Sequence, residues 1–560
     1  MRYTKSINTL SALLIFSSCG LVMASLTKSP LSIGPLGVLE AFSPLFYLGF
    51  GVLLVGFSLQ FVNPEPSKAL VGIQVILAEV YLWLVPPLVL PGLVLPASAH
   101  DLFFYTDFFS IVQTGHLNSA VYVYQSFPGP YILTAIVKEL LSPASFLMLA
   151  KTAALGLNLI ASLFLFVFLR SQLGSQNILY PAMGVLLFQM FNFTEQLTTL
   201  TPFAAGTLYF YFYVFVMAAL VARRVNVLRP TRIAIPLMVV AAALSITHPL
   251  IGIEAQAAVS VLLVYEIRFA RLRLTPVVPL LLLPFLLIGG VSLFLASQQF
   301  LSGNLPTIIG SVSNFLGGFF GGTLQSYQST SASHVLVNNA KLAVFLSMIG
   351  LAAPSFIGSL VKRSPQGLRL LAVAIAITIA TFFVAGAGGT NFNVYYIAAI
   401  LPVVVILDLN TLSSFPRRGL VVAALVILAA STPVSYLVIY GNVVAEVPSQ
   451  PSLSASVFYS EYASPTGLTN SHTITGLQYI GYYGPNLETI LPYTYPEEGT
   501  LQSIGTLNAQ FVALGEGAVY IAKFTFGNST LVEASMSRLQ GSSSWVPFYS
   551  SDGVMLYAKT

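Results

Sequence analysis

Long, uninterrupted apolar runs dominate the chain and recur from the N-terminus to about residue 440. A helix needs about 20 mostly apolar residues to cross the hydrocarbon core of a bilayer. By that measure the sequence predicts thirteen spans, near residues 10–26, 44–62, 70–93, 145–169, 178–192, 203–222, 233–248, 251–267, 275–297, 342–361, 369–387, 393–408 and 419–440. The predicted fold class is therefore an all-α polytopic membrane bundle.

The pattern changes near residue 441, where the chain becomes rich in Ser, Thr, Gly and Tyr and carries eight acidic residues up to its end. No further span follows. We expect a membrane domain over residues 1–440 and a small α/β domain over 441–560, with strands near 518–524 and 554–559.

The positive charges predict the orientation of this bundle, because Lys and Arg are retained on the cytoplasmic side of short loops. With the N-terminus inside, sixteen Lys and Arg residues of the membrane region fall on the cytoplasmic side and four on the other. The C-terminal domain is then extracytoplasmic, and the plasma membrane is the expected location. The first run, behind Arg2 and Lys5, is also compatible with a cleaved signal peptide.

The composition is typical of a membrane protein and excludes a soluble domain, a nucleic-acid-binding protein and a disulfide-rich protein. Hydrophobic residues make up 56% of the chain and charged residues 7%, against roughly 25% charged residues in soluble domains. The net charge of +5 is scattered between apolar runs, so it indicates topology and no nucleic-acid partner. The single cysteine, Cys19, cannot build a disulfide framework or a cysteine metal site.

Candidate chemistry lies in the loops predicted outside the membrane, of which 94–144 and 298–341 are long. The first contains HDLFFYTDFF, which places Asp101 and Asp107 in an aromatic stretch typical of an interfacial helix. Either carboxylate could act as a general base. Helix capping by Asp101 or simple solvation of both residues is the alternative.

Three further acidic or histidine positions are candidates. Glu195 lies in the outer loop FNFTEQL, and His248 precedes a proline in SITHPLIGIE, with Glu254 at its end. Ionisable residues at such depth are often functional, although His248 could equally bond a carbonyl freed by Pro249. Glu79, near the middle of the third span, is expected to hydrogen-bond a neighbouring helix.

These motifs resemble the C-type membrane glycosyltransferases, which take sugars from polyprenyl-phosphate carriers. The resemblance rests on the outer-loop acid Asp101, on Gly115 fourteen residues later, on QSFPGPYIL, on Glu195, and on the final FYSSDGVMLYAK. It implies transfer from a polyprenyl-phosphate-linked sugar to a glycan, lipid or protein acceptor at the non-cytoplasmic face, with contacts to membrane lipid.

The resemblance also implies roles for individual residues. Asp101 is the expected catalytic base, and Asp107 is a second base or, with Asp101, a ligand of a divalent cation. Glu195, His248, Glu254 and Tyr131, the last in QSFPGPYIL, are expected to bind substrate.

Two rival functions are compatible with many spans and sparse intramembrane charge. A transporter or lipid-carrier flippase would show a repeat and interrupted helices at the midplane, and no such repeat is visible in the sequence. A non-catalytic membrane assembly subunit would act through its outer domain.

Overall fold

The computed structural model describes part of the chain. The described residues are 2–26, 38–89, 111, 115–116, 127–141, 143–173, 178–190, 202–221, 230–247, 251–252, 255–261, 277–295, parts of 335–353, 406, 414–440, 458, 471–474, 511–515, 530–551 and 554–560.

Helices occupy most of the predicted apolar runs that the structure describes. They are α1 (Arg2–Leu26), α2 (Val38–Ala41), α3 (Pro44–Leu59), α4 (Lys68–Glu79), a π-helical turn (Val80–Leu84), α5 (Val85–Val89), α6 (Gly129–Leu140), α7 (Pro143–Leu173), α8 (Leu179–Met190), α9 (Pro202–Val221), α10 (Pro230–Thr247), α11 (Val277–Leu295), α12 (Ser414–Ala430) and α13 (Thr432–Tyr440). The run at 369–387 lies outside the described residues, so the count of thirteen spans stays a prediction.

Three helical stretches among the described residues are long and apolar enough to cross a bilayer: Thr4–Leu26, Lys68–Val89 and Thr152–Leu173. A fourth would be the pair α12 and α13, which meet at a bend of 59°. Leucine, valine and phenylalanine side chains on these helices point outward, including Phe16, which is 76% exposed. An apolar exterior of this kind identifies the helices as a membrane bundle.

Small residues bring α1 and α3 into close contact. A Cβ atom at Gly49 would lie 3.0 Å from the Ser18 carbonyl oxygen, and one at Gly56 would lie 3.3 Å from Leu14 Cβ. The Ser11 hydroxyl, seven residues before Ser18, donates to the Gly56 carbonyl at 3.0 Å. Close approach through small residues is typical of helix pairs in membranes.

The predicted last span is broken. The sequence predicts one helix over 419–440, but α12 ends at Ala430 and α13 starts at Thr432. Pro433 explains the bend, because it has no N–H to donate to the Ala429 carbonyl four residues earlier and its ring clashes with that carbonyl.

The described part of the C-terminal region forms a four-stranded sheet of order β1-β2-β4-β3. Its elements are β1 (Ser471–Ile474), β2 (Phe511–Gly515), α14 (Thr530–Gln540), β3 (Trp545–Ser551) and β4 (Val554–Lys559). β1 pairs with β2 in parallel, and the other two pairings are antiparallel. The strand predicted at 554–559 is confirmed, and the one at 518–524 lies outside the described residues.

Candidate active site

The structure describes one of the predicted site residues, Tyr131. Asp101, Asp107, Glu195, His248 and Glu254 lie outside the described residues. What the structure does describe are the helix ends that lead into those positions. Their contacts show which parts of the predicted site the fold brings together.

The segment QSFPGPYIL starts α6, and this start contacts the end of α10. A Cβ atom at Gly129 would lie 2.9 Å from Ile246 Cγ1 and 3.0 Å from the Ile246 carbonyl oxygen. Only glycine permits this approach, because a backbone oxygen cannot rotate away. Ile246 is two residues before His248, so the fold brings the start of α6 next to the chain that carries this histidine.

Tyr131 is in the first turn of α6 and is buried, with 1% of its surface exposed. The outward side of the same helix is apolar, since Ile132, Leu133 and Ile136 are about half exposed. A helix with this distribution can lie at the membrane interface with its apolar side in lipid. A helix therefore starts within QSFPGPYIL, and its place at the membrane surface stays a prediction.

Gly115 ends a helical turn. Its φ is 69°, in the left-handed region, and its N–H donates to the Ile111 carbonyl at 2.8 Å. A glycine in this conformation that bonds four residues back is a common helix terminus. No atom lies within 4 Å of the place where a Cβ would stand, so the backbone conformation alone accounts for glycine here.

A buried polar network lies where α4, α7 and α8 meet. The Ser162 hydroxyl donates to Glu79 Oε1, which confirms the prediction that Glu79 bonds a neighbouring helix. Gln189 Nε2 donates to Ser162 Oγ at 2.6 Å and to the Asn158 carbonyl at 3.1 Å. Gln189 Oε1 accepts from Trp83 Nε1 at 3.0 Å.

Gln189 therefore joins three helices through one amide group. Its position in the sequence also connects the network to a predicted site residue. It lies six residues before Glu195 and next to Met190, the last residue of α8. The Met190 carbonyl accepts from the Ser435 hydroxyl at 3.0 Å. The end of α8, from which the chain continues to Glu195, is thus fixed to the π-helical turn and to α13.

Sequence reasoning missed Trp83, Ser162, Gln189 and Ser435. The available signal was Gln189 itself, because an uncharged polar side chain within an apolar run usually finds a hydrogen-bond partner on another helix. Its partners could not be read from the sequence, since they lie 106 and 27 positions away.

No cluster of three or more His, Cys, Asp or Glu side chains suited to a metal ion occurs among the described residues. Asp101 and Asp107, the predicted ligands, are not among them. Their use as cation ligands stays a prediction.

Comparison with solved structures identifies proteins of similar fold. ArnT from Cupriavidus metallidurans bound to undecaprenyl phosphate superposes with a TM-score of 0.50, at 12% identity, over 88% of this chain and 99% of that one. Archaeal oligosaccharyltransferase AglB from Archaeoglobus fulgidus, in complex with an inhibitory peptide and a dolichol-phosphate, has a TM-score of 0.49 at 15% identity, over 88% of this chain and 74% of that one. The Archaeoglobus fulgidus oligosaccharyltransferase in complex with Zn and sulfate has a TM-score of 0.48 at 14% identity, over 87% of this chain and 73% of that one.

The likeness to ArnT shows that the chain shares the overall fold of that protein, and at 12% identity it shows the fold alone. No protein-family model matches the sequence. No curated protein matches it either.

Proposed function

We propose that this chain is a C-type membrane glycosyltransferase, which transfers a sugar from a polyprenyl-phosphate carrier to an acceptor on the non-cytoplasmic face. The observation that carries the proposal is the fold shared with ArnT, whose structure holds undecaprenyl phosphate, over 88% of the chain. The sequence prediction that Asp101 and Asp107 lie in an outer loop is consistent with it.

The reaction requires one proton transfer. The acceptor oxygen bonds to the anomeric carbon, the bond from that carbon to the phosphate oxygen breaks, and the polyprenyl phosphate leaves. Asp101 takes the acceptor's hydroxyl proton, as a positioned carboxylate can. Asp107 assists as a second base, or the two carboxylates together hold a divalent cation through oxygen ligands.

Four residues are assigned to substrate binding. Tyr131 and His248 belong to chain segments that meet where Gly129 contacts Ile246, and this contact supports a shared role. Glu195 follows α8 in the sequence, Glu254 follows α10, and these two residues complete the set.

The arrangement in the membrane follows from the carrier. Its lipid tail stays in the bilayer, so the reacting phosphate lies at the outer interface, with membrane lipid around it. We assign the protein to the plasma membrane, with a cytoplasmic N-terminus and an extracytoplasmic domain over 441–560 that faces a glycan, lipid or protein acceptor.

A transfer assay on the purified full chain tests the proposal. A panel of polyprenyl-phosphate-linked sugars is offered with and without EDTA, and release of polyprenyl phosphate is measured together with the glycosylated acceptor. Transfer of at least one sugar is expected, and its loss with EDTA would assign a cation. Movement of intact carrier across liposomes without any transfer would instead establish a flippase and contradict the proposal.

A further inference from the structure

The helix that leads into the first outer loop contains a π-helical turn, Val80–Leu84, directly before two prolines. In a π-helix each N–H donates to the carbonyl five residues earlier, as Val85 does to Val80. The next two donors in this register would be residues 86 and 87. Both are proline and have no N–H, so the carbonyls of Tyr81 and Leu82 lose their backbone donors.

Two tyrosine hydroxyls of α13 donate to these two carbonyls instead. The Tyr436 hydroxyl donates to the Tyr81 carbonyl at 2.5 Å, and the Tyr440 hydroxyl donates to the Leu82 carbonyl at 2.7 Å. Tyr436 and Tyr440 are four residues apart on a helix, so their side chains share one face. Both are buried, with 0% and 1% of their surface exposed. The two hydroxyls replace, one for one, the two N–H groups that the prolines remove.

This pair of bonds, which we call the tyrosine latch, connects two parts of the chain that matter for the site. On one side α5 ends at Val89, twelve residues before Asp101. On the other side α13 ends at Tyr440, the last residue before the C-terminal region. The latch therefore fixes this helical stem, from which the sequence continues to Asp101, to α13.

Unfilled carbonyls would loosen this stem. In hydrocarbon, a backbone carbonyl without a donor must find another partner, and the helical segment on either side shifts to provide one. Small displacements of a catalytic group reduce turnover strongly while leaving distant substrate contacts in place.

We propose that Tyr436 and Tyr440 are positioning residues of the transfer reaction, which hold the Asp101 loop in its reactive place through the carbonyls of Tyr81 and Leu82. The inference rests on the proposed function for its catalytic consequence. Its structural part stands on the hydrogen bonds alone.

Removal of the two hydroxyls is the first test. Tyr436→Phe/Tyr440→Phe keeps both rings and is expected to lower kcat about tenfold, with KM for the lipid-linked donor within about twofold of wild type. Tyr440→Phe alone is expected to lower kcat about threefold, and it decides the question if the double variant does not survive purification.

Tyr47→Phe is the matched control, because the Tyr47 hydroxyl also donates to a backbone carbonyl, that of Leu39, at 2.7 Å. Its ring packs edge to face against that of Tyr436, with 5.5 Å between the ring centroids, but its hydroxyl bonds α2 and not the π-helical turn. A merely structural role would give both tyrosine changes a similar loss of thermal stability and leave kcat unchanged in both. Unchanged kcat in Tyr436→Phe/Tyr440→Phe would overturn the proposal.

Rescue by the chain's own backbone is the second test. Adding Pro86→Ala and Pro87→Ala to the double variant restores both N–H donors, and kcat is expected to return to within about threefold of wild type. Pro86→Ala/Pro87→Ala in the presence of the tyrosines is the control for the prolines themselves. If that control is active and the quadruple variant is no faster than the double variant, the latch does not act through these carbonyls.

A spin label separates failure of the latch from failure of the proposed function. Cys19 is the single cysteine, so in a Cys19→Ala background one newly introduced cysteine carries the only spin label. The two labelled variants are Leu88→Cys in α5 and Val426→Cys in α12, where the native side chains are 46% and 60% exposed. Label mobility at Leu88 should rise in the double tyrosine variant and fall again in the quadruple variant, while Val426 stays unchanged. If wild type transfers no sugar, the proposed function fails, and this mobility pattern alone decides the latch: unchanged mobility at Leu88 overturns it.

Discussion

The contact between Gly129 and Ile246 makes the sharpest stability prediction. Gly129→Ala would place a Cβ at 2.9 Å from Ile246 Cγ1 and 3.0 Å from the Ile246 carbonyl oxygen. Both separations are shorter than the 3.4–4 Å of an ordinary contact. The side chain can move, but the carbonyl is fixed by its helix, so α6 or α10 must shift.

The size of the effect follows from two opposing contributions. Overpacking of this kind costs about 1–3 kcal/mol. Inside a helix, alanine stabilises the helix by up to about 1 kcal/mol relative to glycine. Gly129 is the first residue of α6, so its replacement by alanine adds little helix stability. We expect a net loss of about 1–2 kcal/mol and, since His248 follows Ile246 closely, a fall in transfer rate of roughly tenfold.

Thermal unfolding in detergent and the transfer assay measure both effects. Ile246→Ala should restore part of the loss, because it removes the side-chain clash and leaves the clash with the carbonyl. Gly156→Ala is the matched control: it lies inside α7, and no atom stands within 4 Å of its added Cβ. The reasoning is refuted if Gly129→Ala is as stable and as active as Gly156→Ala.

Three further outcomes are expected. Gln189→Met should lower the free energy of unfolding by roughly 2–4 kcal/mol, measured by thermal unfolding, because the buried Trp83 N–H loses its acceptor while Ser162 Oγ and the Asn158 carbonyl lose their donor. Gly49→Val should separate α1 from α3 and lower the free energy of unfolding by about 1–3 kcal/mol. Gly20→Ala is the control and should leave stability unchanged, because no atom lies within 4 Å of its added Cβ. Equal melting temperatures of the two variants would contradict the packing of α1 against α3. A cysteine at Asn226 should react with an impermeant reagent only in inverted vesicles, and reaction in intact cells would reverse the predicted topology.

The sequence could predict the apolar helices because the bilayer imposes their length and composition. It could also predict that Glu79 finds a partner on another helix. It could not identify Ser162, because the serines in the apolar runs look alike and only the packing of α4 against α7 selects one of them.

The π-helical turn shows the same limit. Pro86 and Pro87 indicate in the sequence that two carbonyls lose their donors. The replacements lie 355 and 358 positions away, in a helix whose tyrosines resemble any others at a membrane interface. Long-range pairing of this kind depends on the tertiary fold.

The candidate site was predicted from motifs, and its carboxylates lie outside the described residues. Around them the structure supports two of the implied features, since α6 starts within QSFPGPYIL and Gly115 ends a helical turn in the left-handed conformation. The roles of Asp101 and Asp107 stay predictions.

Turnover of Asp101→Asn tests the central claim most directly. Asparagine is nearly isosteric with aspartate but cannot take the acceptor's proton, so kcat should fall by about two to four orders of magnitude while carrier binding persists. Asp107→Asn tests the second carboxylate, and the chain's remaining aspartates supply matched controls, Asp408→Asn and Asp552→Asn, which should keep wild-type turnover. A capping residue would behave differently, because asparagine caps a helix about as well as aspartate. Wild-type turnover in both single variants and in the double variant would contradict the account.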